Sequence, residues 1–151
     1  MGRAMGNTLA TTEDAGLILQ LYDLRREQTM RAARKWVVFD FQPESAEELL
    51  AIQRTVSLQE NAYWRQVLSY WEMAHSFVLR GAIDADLFLD TQGEGIFIYA
   101  KFARFHDAYK EATGNMFMKQ TAELVEKYPS ARERFEAVVK MLSERQAQTK
   151  R

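Results

Sequence analysis

Apolar positions recur every three or four residues along the chain, and hardly any segment alternates apolar and polar residues with period two, so the pattern predicts an all-α protein. A first helix is expected from a Thr11 cap, with Asp14 three residues on, to about Phe41. Leu17, Leu21, Leu24, Ala32, Trp36 and Phe39 fall near one of its faces. Pro43 ends it. Ser45 with Glu48 and Ser57 with Glu60 read as capping boxes opening a short second helix, about 46–56, and a third, about 58–80. The third carries two adjacent heptad stripes, Tyr63, Tyr70, Phe77 and Trp64, Trp71, Val78, which predicts a central, aromatic-rich helix.

Gly81 stands where a left-handed C-terminal cap belongs, and Asp84 caps a short helix in which Ile83 packs on Phe88. After a loop over 91–95, a fifth helix is expected from about Ile96 to Thr113, with Ile98, Phe102, Phe105 and Tyr109 on one face and Gly114 as its stop. Asn115 caps a sixth helix, which Pro129 closes near Tyr128. Ser130 with Glu133 opens the last, whose core face is Phe135, Val138, Val139 and Leu142. The expected fold is a compact bundle of about five to seven helices with a long N-terminal helix. Residues 11–142 form its single domain, between a flexible stretch over 1–10 and a frayed tail over 143–151.

Composition changes this picture only at its edges. With 151 residues and 47% apolar content, the chain fits one domain that buries roughly 68–70% of its unfolded surface. The absence of cysteine excludes disulfides and thiolate chemistry. A net charge of −1 gives no global field for nucleic acid or anionic lipid. The first ten residues lack the layout of a secretory signal, the myristoylation pattern fails at Gly6, and the apolar stretch over 16–22 is far short of the ~20 residues that span a bilayer. The expected compartment is the cytoplasm.

Candidate chemistry is sparse, and no cofactor is implied. Glu72 and His75 form an E-x-x-H pair whose spacing aims both side chains at one ion, as in di-iron bundles, but that site needs a second pair, and His106 has Ala103 three residues before it. His75 followed by His106-Asp107 also resembles the start of the H…HD…D ligand set of metal-dependent phosphohydrolases. That set needs a later aspartate, and Asp107 is the last one. More economically, Glu72 lies on the helix surface between Arg65 and Arg80, and His75 borders the apolar stripe. Ser76 and His75 point in different directions around their helix, and Gly93-Glu94-Gly95, with no Lys-Ser/Thr after it, reads as a turn.

The only local charge excess is Arg25, Arg26, Arg31, Arg34 and Lys35 on the first helix. These are candidates for acidic headgroups or phosphates, although such runs are more often solvated faces. Leu21-Tyr22-Asp23-Leu24-Arg25-Arg26, Tyr70-Trp71-Glu72-Met73-Ala74-His75 and Arg80-Gly81-Ala82-Ile83-Asp84-Ala85-Asp86-Leu87 together resemble an uncharacterised bacterial helical family, catalogued only as a domain of unknown function. The resemblance covers Leu17 to Leu142 and implies a compact helical bundle with no assigned activity. Some members look membrane-tethered through an N-terminal hydrophobic helix, which this chain lacks.

Three functions are open on these grounds. The first is a non-enzymatic interaction or scaffolding module, homo-oligomeric, because Trp36, Val37, Val38, Phe39 and Phe41 crowd more than one face of a helix roughly 40 Å long at 1.5 Å per residue; Trp36, Val37, Phe39 and Phe41 are its interface candidates. The second is a peripheral partner of membrane or nucleic acid through the first-helix arginines. The third is a metalloenzyme using Glu72, His75 and His106.

Overall fold

The computed structural model describes residues 9–150. Among these are nine α-helices and no strand: α1 (Thr12–Arg25), α2 (Gln28–Lys35), α3 (Ala46–Arg54), α4 (Gln59–Leu79), α5 (Ala85–Thr91), α6 (Glu94–Lys101), α7 (His106–Thr113), α8 (Lys119–Lys127) and α9 (Pro129–Thr149). A π turn over Trp36–Asp40 follows α2, and a 3-10 turn over Ala103–Phe105 joins α6 to α7. The architecture is all-α as the periodicity predicts, with more helices than the five to seven expected. The expectation of flexibility over 1–10 falls, for residues 1–8, outside the described residues.

Helix α4 is the axis of the bundle. It buries Asn61, Trp64, Val67, Tyr70, Trp71, Ala74, His75 and Val78 in one stripe at helical spacing. Helices α2, α3 and α8 pack on it, while α6 lies between α4 and α9. The long N-terminal helix is a correction. The chain breaks at Arg26, whose N–H turns back to Asp23 O, and restarts at Glu27, whose carboxylate accepts from Thr29 N and Met30 N at 2.9 Å each. Those two bonds satisfy free donors of a new helix start and pull the Glu27 carboxyl below its ordinary pKa. Glutamate is not a usual cap, so residue type alone does not signal the break. The long C-terminal element is α9, with 21 residues, against 14 in α1.

Splitting the first helix re-aims its faces. Helix α1 buries Asp14, Ile18 and Leu21, and the second piece buries Met30, Ala33 and Val37. Leu17, Leu24 and Phe39, expected on a core stripe, are 36%, 57% and 70% exposed. Thr11 and Asp14 make the full capping box, and the Asp14 carboxylate also accepts from Asp84 N at 3.0 Å, tying α1 to the turn after α4. Gly81 and Gly114 take left-handed φ values of 80° and 76°, as their positions predict.

Other local signals are overridden. Leu58, not Ser57, opens α4, Met118 rather than Asn115 opens α8, and Tyr128 precedes α9 with Pro129 in its first turn. The fifth helix is interrupted at Phe102, where the chain tightens into the 3-10 turn.

Candidate functional site

Two regions gather the residues on which function would rest, a polar seam inside the bundle and a cleft on its surface. The seam begins at the first turn of α6. Arg34 grips Glu94 through both forks of its guanidinium, Nε to Oε1 at 2.8 Å and Nη2 to Oε2 at 2.6 Å, and its Nη1 donates to Arg25 O at 3.2 Å. Arg25 reaches the same carboxylate at 3.7 Å, donates to Gln92 Oε1 at 3.1 Å and lies over the Trp71 ring. The bidentate bond to Glu94 raises the Arg34 pKa. Of the five basic candidates on the first helix, Arg25 and Arg34 therefore face inward to Glu94, and Lys35 pairs with Asp40 at 2.9 Å. Arg26 and Arg31 remain on the exposed face.

Deeper in the seam, Glu72 and His75 meet α8. The Glu72 carboxylate accepts from Gln120 N, Thr121 N and the Thr121 hydroxyl, at 3.0, 2.9 and 2.9 Å. Thr121 has one hydroxyl proton and spends it there, so the 2.7 Å contact with His75 assigns the imidazole proton to Nδ1, donating to Thr121 Oγ1. His75 Nε2 is then a lone pair facing Gly95, where a Cβ would stand 2.8 Å away. Burial pushes His75 down to about 3 and holds it neutral. Burial raises Glu72, with the three donated bonds acting the other way.

His106 lies elsewhere, its ring tilted against Tyr99 at 4.3 Å, with Nε2 on Tyr99 O at 2.9 Å, and burial lowers its pKa too. The E-x-x-H pair links α4 to α8 through Thr121, with Glu72 half-buried rather than on the open helix surface and His75 Nε2 buried without a hydrogen-bond partner. No group of three or more potential metal ligands occurs among the described residues.

The surface cleft encloses about 830 Å³, within the range of roughly 300–1,000 Å³ usual for small-molecule sites. One wall is largely apolar and comes from the π turn and from α6 with its 3-10 extension: Val38, Phe39 and Phe97, with Phe102 and Phe105 almost wholly buried. The other is the last two turns of α9, where Leu142, Arg145, Gln146 and Thr149 recur at helical spacing. A segment that reads as a polar tail is in this way a helical wall.

The π turn itself is held by Lys101, whose ammonium donates to Val37 O at 2.8 Å, Val38 O at 3.0 Å and Phe41 O. These carbonyls are the orphan acceptors of a helix end, and a lysine is an apt cap for them. Burial lowers the Lys101 pKa to about 8. Arg104 donates to Pro43 O at 2.7 Å and lies over Phe105.

The interface candidates separate around this cleft. Phe39 stands exposed on its edge, Trp36 and Phe41 stack on each other at 4.6 Å and are half-buried, and Val37 is completely buried in the core. Lys101, Arg104, Arg145 and Lys150 were not legible as a group, because they lie on three separate elements with no common spacing. Among the described residues, no helix is long and apolar enough to cross a membrane.

Fold and cleft together define a helical domain with an amphipathic surface cleft. The chain belongs to the family described as Domain of unknown function (DUF4760), whose model matches residues 10–141. Comparison with curated proteins and with solved structures gives no match.

Proposed function

We propose that this chain is a non-enzymatic binding module, cytoplasmic in setting, whose working surface is the cleft between the π turn, α6 and α9. The observation that carries this reading is the gathering of accessible apolar side chains, Phe39 and Phe97 among them, and of cations in one cleft of about 830 Å³. Ligand sites combine an apolar lining with a few placed polar groups in this manner. The rival reading through the first-helix arginines is weakened because Arg25 and Arg34 are committed to Glu94.

An NMR screen of chemically mixed small fragments against the full chain tests the reading. Amide shifts concentrated on Phe97, Phe102, Leu142 and Arg145 are expected; shifts scattered over the surface, or clustered away from the cleft, would refute it.

Self-association is the second reading, and Phe39, at 70% exposure, favours it. Light scattering across a dilution series tests it: a mass near twice 17.6 kDa that Phe39→Ser reduces to the monomer supports a Phe39 interface. A monomer at every concentration removes it.

A further inference from the structure

The cleft has a sign as well as a shape. Lys101, Arg104, Arg145 and Lys150 line it, against Glu44 as its one acid. The first two cations are occupied, Lys101 by three carbonyls and Arg104 by Pro43 O. No salt bridge within the described residues engages Arg145, on the final turns of α9 with the polar Gln146 and Thr149, or Lys150, its C-cap. The opposite wall offers Phe39 with the half-buried Val38 and Phe97, while Phe102 and Phe105 are almost wholly buried, and its own cations, Lys101 and Arg104, are turned to backbone carbonyls. A ligand that satisfies both walls has an apolar body and an anionic end.

Resting on the reading of the cleft as a binding site, we propose that its occupant is a small amphipathic anion, an aliphatic chain ending in a carboxylate or a phosphate monoester. The chain lies along the phenylalanines and the head meets Arg145 and Lys150. Three features of the cleft support a chain of this kind. The accessible apolar lining runs from Val38 and Phe39 on the π turn to Phe97 on α6 and Leu142 on α9, so it accepts an extended apolar body. The two cations not engaged by backbone carbonyls, Arg145 and Lys150, both lie at the C-terminal end of α9, which suits a single head group rather than a polyanion spread along the surface. Arginine forks a carboxylate or phosphate bidentately, and lysine adds a point charge beside it. A carboxylate presents two coplanar acceptor oxygens and a phosphate monoester three on a tetrahedral phosphorus, and a guanidinium can fork a pair of oxygens on either, so the geometry admits both.

The test titrates the full chain separately with dodecanoate, dodecyl phosphate and the uncharged dodecyl maltoside, each below its micelle concentration, reading affinity by calorimetry and location by amide shifts. One-to-one binding of at least one of the two anions, with shifts on Phe97, Leu142 and Arg145, is expected, and whichever of the two binds more tightly identifies the head group. The Arg145→Gln/Lys150→Gln variant should weaken that binding on the order of tenfold. Both sites are exposed on a helix surface, so the variant should retain its thermal midpoint.

Maltoside binding the cleft as tightly as the anions would overturn the anionic class and leave the cleft reading intact. Anion binding that ignores the double variant, or maps outside the cleft, overturns the proposal, as does a dimer that buries Phe39 and excludes the amphiphiles. If no amphiphile binds but the fragment screen still lights the cleft, the proposal fails alone. If both are silent, the binding-module reading falls with it.

Discussion

Gly95 is where the geometry makes its sharpest demand. It is the second residue of α6, and a Cβ there would stand 2.6 Å from His75 Cε1, 2.8 Å from His75 Nε2 and 3.0 Å from Trp71 Cδ2. Neither ring can yield cheaply. His75 is held by Thr121 and by the Phe88 ring, and Trp71 by Tyr70 and the Arg25 guanidinium. Overpacking of this kind costs about 1–3 kcal/mol. Alanine in a helix recovers roughly 0.5–1 kcal/mol relative to glycine, and only the lower part of that in a first turn.

Gly95→Ala should therefore lose about 1–2 kcal/mol net, read as a lower urea midpoint at unchanged slope. Its thermal midpoint falls by roughly 2–4 °C for each kcal/mol. Gly16→Ala is the matched control. It sits within α1 with nothing within 4 Å of its added carbon, so it should gain about 0.5–1 kcal/mol. A Gly95→Ala variant as stable as the parent would mean that α4 and α6 do not meet as closely as described.

Acidification should reveal the buried imidazole. His75 is pushed down to about 3 in the folded chain from an ordinary 6.5, so below 6.5 the unfolded chain binds a proton that the folded one refuses. Its contribution to stability is complete above pH 6.5 and is lost as pH falls, by roughly 1.4 kcal/mol between pH 7.5 and 5.5. His106 acts in the same direction and Glu72 in the opposite one, so the readout is the stability gap between the parent and His75→Gln, which should narrow by that amount; a gap independent of pH would refute the burial. Glu94→Gln leaves the Arg34 and Arg25 guanidiniums with a neutral partner and should cost about 1–3 kcal/mol by urea denaturation, the lower part of the range following from the pair's partial exposure. Lys101→Met removes the cap from three carbonyls of the π turn and should cost about 1–3 kcal/mol, with accelerated hydrogen exchange confined to 36–41 and little change elsewhere.

What the sequence determined by itself is local. Thr11 with Asp14, Asp84 at its helix start, Gly81 and Gly114 past helix ends, and Pro129 just past the end of α8 work through bonds or steric limits spanning four residues or fewer, and each lies where its type and spacing put it. The heptad stripes likewise marked α4 as central, because Trp64 and Trp71 have little stable alternative to burial.

Tertiary structure decided the rest, since it chooses among local options of nearly equal energy. Periodicity cannot say that Glu27 will cap a second helix, or that Ile18 rather than Leu17 will be buried on α1, when apolar residues flank both sides of the stripe. Gly93-Glu94-Gly95 reads as a turn from its glycines, yet Glu94 starts a helix there because Arg34, sixty residues earlier, supplies the partner for its carboxylate. Lys101 and Phe39, and Arg145 on the final turns, carry no shared signal along the chain. Only the packing of α6 between α4 and α9 brings them to one cleft, and contacts between residues so far apart in sequence form through burial in three dimensions, which no short window of sequence contains.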